Sequence, residues 1–138
     1  MHFSIGELSQ KTGVKVPTIR YYEKIELLSA PIRSEGNQRR YSQQQLECLS
    51  FIKHGRDLGL PLEAIRELIE LNSHPERPCA HADEIATSHL SDIRARITQL
   101  KRLEAELDRI VAGCKANQVG DCYVIRSLAN HELCQTEH

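Results

Sequence analysis

Five cysteines and seven histidines stand in a chain of only 138 residues, and their types and spacing are where chemistry could reside. Cys114 and Cys122 bracket the polar run from Lys115 to Asp121, an arrangement that lets two thiolates meet on one soft metal ion. The same two thiols could instead close to a disulfide, as in a redox sensor. Neither belongs to a C-x-x-C pair, and only Lys115 nearby would favour the thiolate without metal. Five is an odd number, so a closed disulfide framework would leave one thiol over. Cys79 is a third thiol, and His81, His131 and Cys134 are further possible ligands or bystanders. Cys48 lies in an apolar run and is expected to fill the core. His54 and His74 are expected at the solvated surface, and His89 is read as a packing residue near a helical seam. There is no Gly-rich phosphate loop, nucleophile elbow or H-E-x-x-H helix, so the sequence does not read as an enzyme.

The elements that must position these thiols are helical. The chain is 40% hydrophobic with no Trp, two Phe and four Tyr, so the core must be aliphatic, which disfavours an aromatic-rich β-sandwich. No apolar stretch reaches the roughly 18 residues that would span a bilayer. The opening Met1-His2-Phe3-Ser4 does not resemble a secretion leader, so the expected location is the cytoplasm, without a membrane partner. From Asp83 to Ala112 there is neither Gly nor Pro, and Leu90, Ile93, Ile97, Leu100, Leu103, Leu107, Ile110 and Val111 recur at three- and four-residue steps. Such a stripe predicts a coiled coil with a second copy, the alternative being that it folds back on the preceding helices. A helix filling the 35 positions from Cys79 to Cys114 would hold these thiols roughly 50 Å apart at about 1.5 Å per residue. In an antiparallel dimer of that helix, Cys79 of one subunit would meet Cys114 and Cys122 of the other, and a three-thiolate site would form at each end.

Ahead of the long helix the pattern changes. Ser4-Ile5-Gly6-Glu7 is a capping box, Gly13 a stop, and Pro17 opens a second helix through Glu23, which together read as helix-turn-helix. Pro31 to Tyr41 suits a small hairpin or wing. Ser42-x-x-Gln45 starts a third helix that ends at Gly59, and Pro61 to Leu71 a fourth. Pro75 and Pro78 mark a linker, and Tyr123 to Leu128 a last short helix. The expected divisions are residues 1–74, 75–112 and 113–138. Formal net charge is −1, yet residues 1–56 carry nine Lys/Arg against five Asp/Glu, net +4, while residues 57–138 carry nine against fourteen, net −5. This asymmetry hints at a nucleic-acid-facing first part.

Phe3-Ser4-Ile5-Gly6-Glu7-Leu8, Thr18-Ile19-Arg20-Tyr21-Tyr22-Glu23 and Gly36-Asn37-Gln38-Arg39-Arg40-Tyr41 resemble the opening of MerR-family transcriptional regulators, and the likeness continues to the Cys-bracketed loop. The resemblance implies a mainly α protein, a winged helix-turn-helix DNA-binding domain followed by a long helix that forms an antiparallel coiled-coil homodimer on promoter DNA. Carried over by position, Lys15, Thr18, Arg20 and Tyr21 would serve the recognition helix, Arg33, Asn37, Arg39 and Arg40 the wing, and Arg56 a site beyond it. Arg20 would reach a base edge and the others would hold phosphates. The resemblance also implies activation of a metal-resistance or efflux promoter. Metal binding would distort operator DNA and realign promoter elements for RNA polymerase. Monovalent copper or gold sensors of the family carry Ser where Cys79 stands, so a third thiolate points to Zn, Cd or Pb, with Hg a further possibility. Zinc sensors typically add a Cys and a His within the loop, where this chain has Lys115 and no His, which argues against a two-zinc site of that type.

Overall fold

The computed structural model describes residues 2–113 and 122–130. It divides into two compact units, Met1–Ile85 and Ala86–His138. In the first unit the order is β1 (His2–Phe3), α1 (Ile5–Thr12), α2 (Val16–Lys24), β2 (Ile32–Arg33), β3 (Arg39–Ser42), α3 (Gln43–Asp57) and α4 (Leu62–Asn72). The long helix α5 (Ala80–Ala112) follows, and α6 (Tyr123–Ala129) ends the described chain.

Local sequence accounts for the helix starts. Both capping boxes form: the Ser4 hydroxyl accepts from the Glu7 amide while Glu7 accepts from the Ser4 amide, and Ser42 and Gln45 do the same at α3. Gly13 closes α1 with φ of 76°, a left-handed conformation that costs glycine little, and its N–H donates to the Ser9 carbonyl. Pro17 sits in the first turn of α2. The third helix ends at Asp57, just ahead of Gly59 with φ of 81°.

The hairpin appears as β2 paired antiparallel with β3, Arg33 opposite Arg39 and Ile32 opposite Arg40. A third strand joins it, which the sequence reading did not anticipate. β1 pairs with the other edge of β3 through His2 with Ser42 and Phe3 with Tyr41, giving the order β1-β3-β2. A two-residue strand has no period to recognise; its pairing is set by Phe3 and Tyr41, which are both buried. The core of this unit is aliphatic apart from Phe3, Tyr22 and Tyr41, with Leu8, Ile19, Leu28, Leu49, Ile52 and Ile65 buried. Cys48 packs against it half-buried, and burial pushes its thiol pKa up.

The second unit holds most of α5. Leu90, Ile93, Ile97, Leu100, Leu107 and Val111 are all exposed in the single chain. One face of the last two turns is covered: Ile110 and Glu106 are buried, and the Tyr123 ring of α6 lies against Gly113. A β-carbon at Gly113 would lie 2.7 Å from the Tyr123 ring, so only glycine lets that ring approach. No described helix is long and apolar enough to cross a membrane.

Candidate functional site

Helix α2 is half buried, as its sequence pattern requires. Ile19 and Tyr22, three residues apart, face the core. That leaves Arg20 and Tyr21 exposed, Tyr21 half so by area. Lys15 is the extended residue that precedes the helix, and Thr18 is half-buried in its first turn. Lys24, one turn beyond Arg20, is exposed on the same face. Sequence reasoning passed over it, although the four-residue spacing from Arg20 was a readable signal.

The wing turn is closed by Asn37, whose φ of 60° is reached at modest cost by Asn, and its N–H donates to the Ser34 carbonyl. Arg33 donates to the Asn37 carbonyl at 3.2 Å, and Arg40 donates to the Gln38 amide oxygen at the same distance. Arg56, at the end of α3, donates to the Leu60 carbonyl at 2.8 Å. Arg39 is occupied differently from the outer arginines: its guanidinium pairs with Glu23 of α2 and reaches the Tyr41 hydroxyl at 3.5 Å, while that hydroxyl donates to Glu23. Burial first, and then the Glu23 carboxylate, raise the Tyr41 phenol above its ordinary range; the bonds to Tyr41 and Glu23 raise Arg39.

An open cleft of about 340 Å³ lies between α2 and the wing, lined by Arg20, Glu23, Lys24, Arg33 and Arg39. Four cations around one carboxylate form a surface suited to a polyanion. A second strut holds α2 from behind: Arg66 of α4 donates to the carbonyls of Ile25 at 2.8 Å and Glu26 at 3.2 Å. A cation there satisfies carbonyls at the negative end of the helix dipole.

Of the thiols, Cys79 is exposed immediately before α5, and its carbonyl accepts from the Asp83 amide at 3.0 Å. It lines a small apolar groove with Phe51, Leu68, Leu71, Pro78 and Ala82. Cys122 is half-buried at the N-cap of α6. Both thiols thus stand at helix N-termini. His81 is flanked by Glu67 at 3.7 Å and Glu84 at 3.5 Å. His74, expected to be simply solvated, contacts Glu70 and Glu76 at 3.3 and 3.4 Å. Cys114, His131 and Cys134 lie outside the described residues. Among the described residues no group of three or more Cys, His, Asp or Glu is placed to hold a metal ion.

A helix-turn-helix with a three-stranded wing and a cationic cleft between them, followed in the chain by a long helix, is the architecture of a winged helix-turn-helix DNA-binding regulator. Residues 3–71 match the model of the MerR HTH family regulatory protein, and residues 46–110 match that of MerR, DNA binding. The chain belongs to the MerR family of transcriptional regulators. It is 38% identical over 113 residues to the HTH-type transcriptional regulator ZntR of Escherichia coli (strain K12), covering 81% of this chain and 80% of that protein. To the mercuric resistance operon regulatory protein of Bacillus cereus it is 37% identical over 129 residues, 93% of this chain and 98% of the other. Among solved structures, the transcription regulator PbrR691 from Ralstonia metallidurans CH34, in complex with lead(II), superposes with a TM-score of 0.80 at 36% identity, covering 91% of this chain and 98% of that one.

Proposed function

We propose that this regulator is a divalent soft-metal sensor that acts on promoter DNA as an antiparallel homodimer. The observation that carries the reading is the exposed Cys79 thiol at the start of a 33-residue helix whose apolar stripe is uncovered in the single chain. Burying that stripe against a second copy removes it from water. A helix of this length, about 50 Å by its rise, leaves Cys79 to be joined by Cys114 and Cys122 of the partner subunit. Three soft thiolates suit Zn, Cd, Pb or Hg. The lead(II) complex of one relative and the mercuric resistance operon controlled by another support a divalent ion. His81, His131 and Cys134 are the further candidates for a fourth position.

In this reading residues 1–74 bind DNA, 75–112 dimerise and 113–138 respond to metal. Arg20 meets a base edge in the major groove; Lys15, Thr18, Tyr21, Arg33, Asn37, Arg40 and Arg56 serve the phosphates, while Arg39, expected among them, is held by Glu23. The bound ion neutralises thiolate charge and draws the segment after α5 together, shifting the dimer between two DNA-bound states by its differential affinity. Operator DNA is deformed in one state, and RNA polymerase then uses the promoter.

The test is transcription in vitro by purified protein on a promoter fragment it binds, titrated with Zn, Cd, Pb, Hg, Cu(I) and peroxide. Activation by a divalent ion, lost in Cys79→Ser with DNA binding retained, is the expected result. Activation by peroxide alone would overturn the metal reading in favour of a thiol redox sensor, and an unchanged metal response in Cys79→Ser would exclude the cross-subunit site.

A further inference from the structure

The wing contains a charge conflict that α2 resolves. Arg33 and Arg39 stand directly opposite each other on β2 and β3, and like charges in that position destabilise a strand pair. Arg39 and Tyr41 share one face of β3, because successive residues of a strand alternate, and both meet Glu23 of α2. The Glu23 side chain is 9% exposed, Tyr41 is fully buried and the Arg39 side chain is 27% exposed, so a largely shielded carboxylate and phenol meet a part-exposed guanidinium at the junction between α2 and the wing. Glu23 also lines the cationic cleft. A bare carboxylate there would repel a phosphodiester; paired with Arg39 it does not.

We propose that Glu23 is a positioning residue: by holding Arg39 and Tyr41 it fixes the wing to the recognition helix, takes Arg39 out of phosphate contact, and leaves Arg20, Lys24 and Arg33 as the cations of the cleft. The proposal rests on the DNA-binding reading above. It makes Arg39 and Arg40, adjacent and alike in sequence, differ in role. Arg40 lies on the opposite face of β3, outside the junction, and keeps the phosphate role proposed above, whereas Arg39 sets geometry.

The experiment measures binding to a duplex selected from a random pool by the wild-type protein, and to a scrambled duplex of equal length, across a salt series. Each phosphate contact contributes about 0.9 to the slope of log K against log salt. Arg40→Gln is expected to flatten the slope by about that amount and to weaken both duplexes alike. Arg39→Gln removes no phosphate contact and is expected to keep the wild-type slope: the uncovered Glu23 carboxylate weakens both duplexes modestly, and loss of the junction weakens the selected duplex by on the order of tenfold more than the scrambled one. A slope flattened as in Arg40→Gln, or wild-type binding to both duplexes, would overturn the proposal. Tyr41→Phe leaves every charge in place and guards against misfolding of the arginine variant: it should show a smaller, still selective loss at unchanged slope, and full wild-type behaviour from it would also count against the junction. If the wild-type protein itself fails to prefer any selected duplex, it is the DNA-binding reading that fails, and the proposal with it.

Discussion

Replacing Gly55 by Ala sets two opposing effects against each other. Gly55 is buried within α3, and a β-carbon there would meet the Cγ1 and Cδ1 atoms of Ile65 at 2.9 Å. Ordinary carbon contacts lie at about 3.5–4.0 Å, so the overlap is roughly 0.6 Å or more on two atoms. Ile65 is 1% exposed in the core and cannot swing aside. Overpacking of this kind costs about 1–3 kcal/mol, while Gly→Ala inside a helix returns about 0.5–1 kcal/mol. The expected balance is a loss of about 1 kcal/mol, seen as a Tm lower by about 4 °C at fixed protein concentration. Ile65→Val removes one of the two clashing atoms. Alone it should cost about 0.5–1.5 kcal/mol, but combined with Gly55→Ala it should cost less than the sum of the two single changes. Thermal and urea denaturation of the four proteins measure this coupling. A more stable Gly55→Ala protein, or additivity of the two changes to within about 0.5 kcal/mol, would refute the argument that α3 and α4 meet closely enough to require glycine.

Other expectations follow from separate parts of the molecule. Gln45 donates to the Ser29 and Ala30 carbonyls while capping α3; Gln45→Ala should destabilise by about 2 kcal/mol, measured by urea unfolding. Glu7 is held below its ordinary value of 4.5 chiefly by its bonds with Ser4. Its contribution is therefore complete above that value and lost as pH falls through the lower folded one, and the acid-unfolding curve of Glu7→Gln should lack this component. Ile97→Glu places a charge in the exposed stripe and should shift sedimentation from dimer to monomer. Under limited alkylation of the metal-free protein, exposed Cys79 should react well before half-buried Cys48, whose thiol pKa is raised; equal rates would contradict the packing of Cys48. Gly113→Ala should dislodge Tyr123 and its hydrogen bond from Arg109, weakening metal-dependent transcription with DNA affinity unchanged.

Local signals carried much of the fold. Capping boxes, Gly13, Pro17 and the aliphatic stripe of α5 each act through neighbours within one or two helical turns, so their residues announce helix starts, stops and faces without reference to the rest of the chain. The string Ile19-Arg20-Tyr21-Tyr22-Glu23 likewise announced the family, and with it the expected DNA surface. The strand at His2 and Phe3 was not legible, because two residues have no period and pair with a segment some 40 positions away.

What the amino-acid sequence determined by itself is the inventory: which segments are helical, where cationic residues concentrate and which thiols are available for a metal. Only the tertiary structure decided which charges remain for a partner. Arg39 and Arg40 are indistinguishable in one dimension, yet strand alternation and the approach of α2 commit Arg39 to Glu23, while Arg66, 40 positions beyond Glu26, closes the far end of the same helix. A charge's role depends on what lies within a few ångströms of it, and for these residues that neighbour comes from another element of the fold.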